Sequence, residues 1–327
     1  SNSVGITSMI DASVGESELI TYAELDKNDA LNARLITSIE YGTTFMSASS
    51  DPDVTVAKWK DYQGHRLRTR SIKLFIDGVL EGETAALIEP YIGERQHHGM
   101  LNFEQDRLNA IVSKADADNI QVHMHAIGDA AVRAGLDAFE YARIQNGSKD
   151  NRHHISHLQL IHPDDIPRFK ALDVIANFQA LWAIPDDYIM KLNLPVVGQE
   201  RVDRMYPIGS MVKSGARIVG GSDWSVSSLN PIEAIHTGVN REDPSGEEAI
   251  GILTPEERVD LKTMIEAYTI NGAYLMHQED ITGSIEVGKY ADLIVLDRNL
   301  FEHPANEIYK AKVLHTFLEG QAVYSAE

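Results

Sequence analysis

Apolar and polar positions alternate in short runs that are separated by longer stretches of helical period. Residues 5–11 predict a strand, 16–28 a helix and 34–41 a second strand. The interval to Arg70 has mixed polarity and predicts short helical or irregular structure. Residues 71–77 predict a third strand. Ile72, Leu74 and Ile76 fall on one face, and Lys73, Phe75 and Asp77 on the other. Gly78 breaks that strand. Residues 79–100, with Gly82, Pro90, Gly93 and Gly99, read as a long loop of the kind that lines a pocket. Residues 103–117 predict a helix.

The fourth strand lies in Gln121-Val122-His123-Met124-His125-Ala126-Ile127-Gly128-Asp129, with a helix over 129–144 behind it. Alternation sets His123 and His125 on one face and Val122 and Met124 on the other. Two imidazoles on a buried strand are costly unless bonded or bound to a metal.

Residues 153–160 predict a fifth strand, Asp164 and Asp165 the start of a helix through Lys170, and 174–179 a sixth strand. A long loop with Pro185 and Pro195 follows, then a helix near 209–214. Residues 216–223 predict a seventh strand, ending in Gly220-Gly221-Ser222-Asp223-Trp224, where the glycines permit close backbone approach. Residues 231–240 predict a helix, and 255–276 one or two more. The rhythm changes near Thr282. Residues 285–289 and 291–296 read as short strands around a glycine turn, and 312–317 with 321–324 as a hairpin across Gly320.

Seven strand–helix units in order argue for parallel strands with helical crossovers, as an open doubly wound sheet or a (β/α)8 barrel. No Gly-x-Gly-x-x-Gly follows the first strand, and no Walker-type Gly-Lys-Ser/Thr occurs. Polar residues end several different strands, which favours the barrel. The expected architecture is an α/β TIM barrel lacking its first strand, over 1–281, with 282–327 giving the C-terminal strands of a composite β-sandwich. The opening Ser1-Asn2-Ser3 lacks Met and runs straight into apolar residues 4–10, which predicts a cut inside a longer protein.

The 327 residues carry 29 basic and 49 acidic side chains, a net charge of -20, which opposes binding to nucleic acid or anionic membranes. No apolar run is long enough to span a bilayer, and no signal peptide is visible. Cysteine is absent, which excludes disulfides and thiolate sites and fits a cytoplasmic location. A homodimer is the default for assembly.

Lys73, His125, His157 and Asp223 each end a strand, and a barrel would gather them at one mouth. Imidazole and carboxylate suit Zn²⁺ and related ions, which acidify bound water and polarise carbonyls. Asp223 has the chemistry of both ligand and proton acceptor. Each residue also has a plainer role. Lys73 could bridge a buried carboxylate such as Asp77, and Asp223 could cap the next turn. Asp129 could cap its helix or orient His125, and His123 could be core or support a ligand. His153 and His154 compete with His157 as ligands, and Trp182 and Trp224 are candidates to line a substrate cavity or to pack.

The motifs Lys73-Leu74-Phe75-Ile76-Asp77-Gly78, His125-Ala126-Ile127-Gly128-Asp129, His157-Leu158-Gln159 and Gly221-Ser222-Asp223-Trp224 with Asn230-Pro231 occur in that order, followed by Gly283-Ser284-Ile285-Glu286-Val287-Gly288-Lys289. In these the chain resembles the amidohydrolase superfamily, in its branch of YtcJ-like and N-substituted formamide deformylase-like metal hydrolases. Within that branch it is similar to proteins labelled exoenzyme regulatory protein. The resemblance implies a (β/α)8 barrel with a small β-sandwich and hydrolysis of amide or similar non-peptide C–N bonds. It implies one or two divalent ions, Zn²⁺ foremost, with a small-molecule substrate. It makes Lys73 a candidate for carboxylation as a bridging ligand, His125 and His157 ligands, and Asp223 ligand and general base, with His157 assisting at the carbonyl. The family's opening His-x-His pair has no counterpart before Lys73. Its Gly-Ser-Arg after Asp77-Gly78 is replaced around 80–84, and its Arg and Glu before the sixth-strand His are His154 and Ser156 here. These departures imply two absent ligands and leave the chain's own metal occupancy and activity open. The competing readings are a non-catalytic regulatory or small-molecule-binding barrel, and a metal-dependent dehydratase or isomerase.

Overall fold

The computed structural model describes residues 1–42, 52–94, 96–245 and 251–327. Part of the mixed-polarity interval before Arg70 therefore lies outside the described residues. Seven parallel strands form one sheet in sequence order: β1 (Ser8–Val14), β2 (Arg34–Glu40), β3 (Leu67–Phe75), β4 (Gln121–Ala126), β5 (His154–His157), β6 (Ile175–Phe178) and β7 (Ile218–Gly220). A neighbour-to-neighbour parallel order with helical returns is that of a (β/α) barrel. Closure is incomplete, because no hydrogen-bonded pairing joins β1 to β7 among the described residues. The sheet still curls: Ile10 of β1 packs against Ile175 of β6, Val219 of β7 and Leu275.

The two strand faces separate as alternation requires. Ile72 and Leu74 of β3 and Val122 and Met124 of β4 are buried under Leu108 and Val112 of helix Gln105–Ala117 and Val132 and Leu136 of helix Asp129–Asn146. Each such aliphatic side chain removed from water contributes about 1.5–3 kcal/mol. Lys73, His123 and His125 are left on the inner face. The excursions after β3 and β6 pack on each other above the strand ends through Leu80, Leu87, Tyr91, Ile189, Val202 and Met205. Buried Arg241 fastens that layer, donating to the carbonyls of Leu253, Tyr206 and Met205.

A small antiparallel sheet follows, in the order β10 (Gln321–Ser325), β9 (Val313–Leu318), β8 (Leu293–Leu296). The expected hairpin across Gly320 is present. The expected strand over 285–289 is not. That segment forms turns, Ile285 and Val287 are exposed, and Lys289 Nζ closes the loop onto Ser284 Oγ at 2.6 Å. Its alternation has no partner strand to satisfy it. Arg34, 2% exposed, joins this sheet to the larger one through Asp292 and Glu319, each at 2.7 Å. Thr316 Oγ1 donates to Asn2 O at 2.7 Å, so the start of the chain also lies on the small sheet.

Candidate active site

The ends of β3, β4, β5 and β7 deliver the polar set. Lys73 is in register with Glu40 on one side and His123 on the other, and is buried. Burial pulls its ammonium down to about 8, against the opposing pull of Asp223 and Glu40. Lys73 does not bridge to Asp77. The Asp77 carboxylate accepts instead from the backbone N–H groups of Ala86, Ile127 and Gly128 at 2.8–3.0 Å. Burial outweighs those bonds and raises it to about 7. Asp77 thus welds the excursion after β3 to the turn after β4. Gly128 is needed there, since a Cβ would lie 2.0 Å from Ala86 O.

His125 Nε2 lies 3.0 Å from Gly78 O and 3.5 Å from Asp77 Oδ1. A carbonyl can only accept, so Nε2 carries the proton and Nδ1 the lone pair. Burial foremost, then the charge of Lys73, lowers this ring to about 4. Asp129 is not the partner that orients His125. Its Oδ1 accepts from Ile88 N at 2.9 Å and ties the long loop to the helix start.

Strand β5 ends sooner than its sequence pattern because His157 and Leu158 adopt φ of 82° and 53°. Left-handed backbone at two successive non-glycine residues is costly and often marks a functional position. It turns the His157 ring toward His125, with centroids 4.5 Å apart, and against Trp182, stacked at 5.5 Å with planes 4° apart. His157 is buried, and its Nδ1 has no hydrogen-bond partner. Burial, then the charges of His125 and Lys73, holds it neutral, and Gln179 pulls weakly the other way. Trp182 Nε1 donates to Ser227 Oγ at 3.1 Å and so bridges the loops after β6 and β7.

Asp223 also has a positive φ, 53°, and sits exposed at the rim beside exposed Trp224. Although its residue surface is exposed, desolvation of its carboxyl raises the pKa and outweighs the attraction of Lys73. The charges of Lys73 and Asp223 attract each other. His153 falls outside the set: its Nε2 contacts Asp116 Oδ1 at 3.1 Å and its ring stacks on Phe139. His123 and His154 form a lower layer with ring centroids 4.0 Å apart, and neither nitrogen of His154 has a partner. Gln179 also acts on His157 and is not singled out by sequence; period-two spacing from Asn177 is the available signal.

Among the described residues no three His, Asp or Glu side chains converge closely enough to hold a metal ion. The donor chemistry nonetheless fits a divalent cation in part. Two neutral imidazoles lie on adjacent rings, one of them with a buried nitrogen that has no protein partner, and the charge of Lys73 acts on both.

The profile of the amidohydrolase family matches residues 1–324. The chain belongs to the amidohydrolase family. It is 29% identical over 309 residues to the Protein LONG AFTER FAR-RED 3 of Arabidopsis thaliana, covering 94% of this chain and 50% of that protein. It is 26% identical over 324 residues to the N-substituted formamide deformylase of Arthrobacter pascens, covering 98% of this chain and 58% of that enzyme. Among solved structures, an uncharacterized metal-dependent hydrolase from Pyrococcus furiosus superposes with a TM-score of 0.74 at 28% identity, over 91% of this chain and 57% of that one. The amidohydrolase chain thus spans about half the length of the relatives it matches. No helix of the described residues is long and apolar enough to cross a membrane.

Proposed function

We propose that the whole protein hydrolyses an amide or another non-peptide C–N bond of a small molecule, in the manner of the YtcJ-like and N-substituted formamide deformylase-like branch. The observation that carries this reading is the buried, unpartnered Nδ1 of His157 beside His125. A buried imidazole nitrogen without a partner costs about 1–3 kcal/mol, and a cation would remove that cost. Lys73, carboxylated on its amine, would hold the ion together with His125, His157 and Asp223. Zn²⁺ best suits these donors, as one ion or two. When bound, it supplies Lewis acidity at a carbonyl and lowers the pKa of water.

This chain's own residues supply the rest. Asp223 accepts a proton from the attacking water, a role favoured by its raised pKa. His157 stays neutral and hydrogen-bonds or polarises at the carbonyl. Gly78 O and Asp77 fix the His125 tautomer. Trp182 closes one wall of the mouth against water, and Trp224 stands at its entrance. We place the barrel portion at 1–281 and the sandwich portion at 282–327.

The test is hydrolysis of a panel of N-substituted amides and formamides by the whole protein with added Zn²⁺. Turnover is expected, with Asp223→Asn lowering kcat by about 10²–10⁴-fold. A second reading is a non-catalytic binding protein on the same barrel. The 25% identity over 224 residues to the Exoenzymes regulatory protein AepA of Pectobacterium carotovorum subsp. carotovorum favours it. Ligand binding by the whole protein without turnover of any amide, and without bound metal, would decide for that reading.

A further inference from the structure

Strands β3 and β4 set Lys73 and His123 side by side in register. His123 Nε2 lies 3.3 Å from Lys73 Nζ and 2.6 Å from Ser156 Oγ. Its Nδ1 lies 3.4 Å from Ser38 Oγ. Ser38 Oγ is 2.5 Å from Ser71 Oγ, and Ser71 Oγ donates to the Thr37 carbonyl at 3.3 Å. All six residues are buried. The terminal carbonyl can only accept, so the chain of bonds has a direction. Ser71 donates to Thr37, Ser38 donates to Ser71, and His123 Nδ1–H donates to Ser38. The Nε2 lone pair is left to the Ser156 hydroxyl and the Lys73 amine.

We infer that His123 is a positioning residue that grips one N–H of Lys73 and turns the amine to take up carbon dioxide, which rests on the proposed role of carboxylated Lys73 as a ligand. In that step the nitrogen lone pair forms an N–C bond to CO₂. One C=O electron pair moves onto oxygen, one N–H proton leaves to solvent, and nothing is oxidised or reduced. The product nitrogen keeps one hydrogen. His123 Nε2 accepts from that hydrogen both before and after the step, so its tautomer and the serine chain stay as they are. With that N–H held against His123, the new carboxylate is directed away from it. Ser156 shares Nε2 as a competing donor, so its removal leaves the lone pair to Lys73.

The test uses the whole protein with Zn²⁺, equilibrated with ¹³C-bicarbonate, and reads the carbamate carbonyl by ¹³C NMR alongside a thermal melt. Wild type shows one carbamate per chain. His123→Phe lowers occupancy about tenfold and Ser38→Ala about threefold, as loss of a hydrogen bond implies. Ser156→Ala keeps wild-type occupancy, and excess bicarbonate restores the signal of His123→Phe. Should His123→Phe fail to fold, Ser38→Ala decides. Wild-type occupancy in both variants overturns the role of His123 alone. A wild-type protein without carbamate removes the Lys73 ligand reading and this inference together.

Discussion

The inner face of the sheet holds four imidazoles within a small volume, and the protein keeps them neutral. Burial is the main cause for each, and the charge of Lys73 adds to it. His125 is lowered to about 4 and His154 to about 3. In the unfolded chain such a ring titrates near about 6.5. Between that value and the folded one, the unfolded state binds more protons, so stability must fall as pH is lowered through this window and is complete above it. Urea unfolding of metal-free protein should therefore show a midpoint that drops from pH 7 to pH 5. His154→Phe should make the pH slope shallower by about one proton. A slope unchanged in His154→Phe would mean that this ring is not buried neutral. Lys73 belongs to the same scale. Its amine, brought to about 8, is partly unprotonated near neutral pH, the state that can react with CO₂.

At the scale of elements, the short seventh strand is held where helix Leu261–Tyr268 crosses it. A Cβ on Gly220 would lie 2.2 Å from the Tyr268 ring. Gly220→Ala should destabilise the fold by about 1–3 kcal/mol, measured by denaturant unfolding, and lose most of that penalty with Tyr268→Ala. No change in Gly220→Ala alone would contradict this packing. The same scale shows what could be read from sequence. The strands carrying Lys73 and the His123–His125 pair were legible because alternation fixes their faces once helices cover one side. The strand over 285–289 was misread, because alternation says nothing of whether a partner edge exists. The fifth strand proved shorter than its pattern, since positive φ at His157 and Leu158 has no signature in a non-glycine residue. Four polar residues at or just beyond strand ends could be named from sequence. The serine chain behind His123 could not, because it depends on the register of β2, β3 and β4, and isolated serines carry no period.

Across the whole molecule, Arg34 is the joint between the curled sheet and the small one. Its partners Asp292 and Glu319 are buried or nearly so. Arg34→Met leaves the buried Asp292 carboxylate without its cationic partner, while Glu319 keeps Arg66, and should cost about 3–5 kcal/mol in denaturant unfolding. A cost near zero would show that the two sheets are held by apolar contact alone. Glu319 adds a pH dependence. Burial alone would raise its carboxyl, but hydrogen bonds from Arg66 and His65 and the charges of Arg34 and Arg66 bring it to about 2. That contribution is present above about pH 4.3 and is lost as pH falls toward 2. This joint carries the sheet whose strand ends bear Lys73, His125 and His157, with Asp223 beyond the last strand, and the proposed function requires these four to hold a hydrolytic ion. The most direct test is the zinc content and zinc affinity of the whole protein beside Lys73→Ala, His125→Ala, His157→Ala and Asp223→Ala. Stoichiometric zinc is expected in the wild type and, in each variant, loss of an ion or at least about tenfold weaker binding. Equal zinc content and affinity in all five proteins would contradict it.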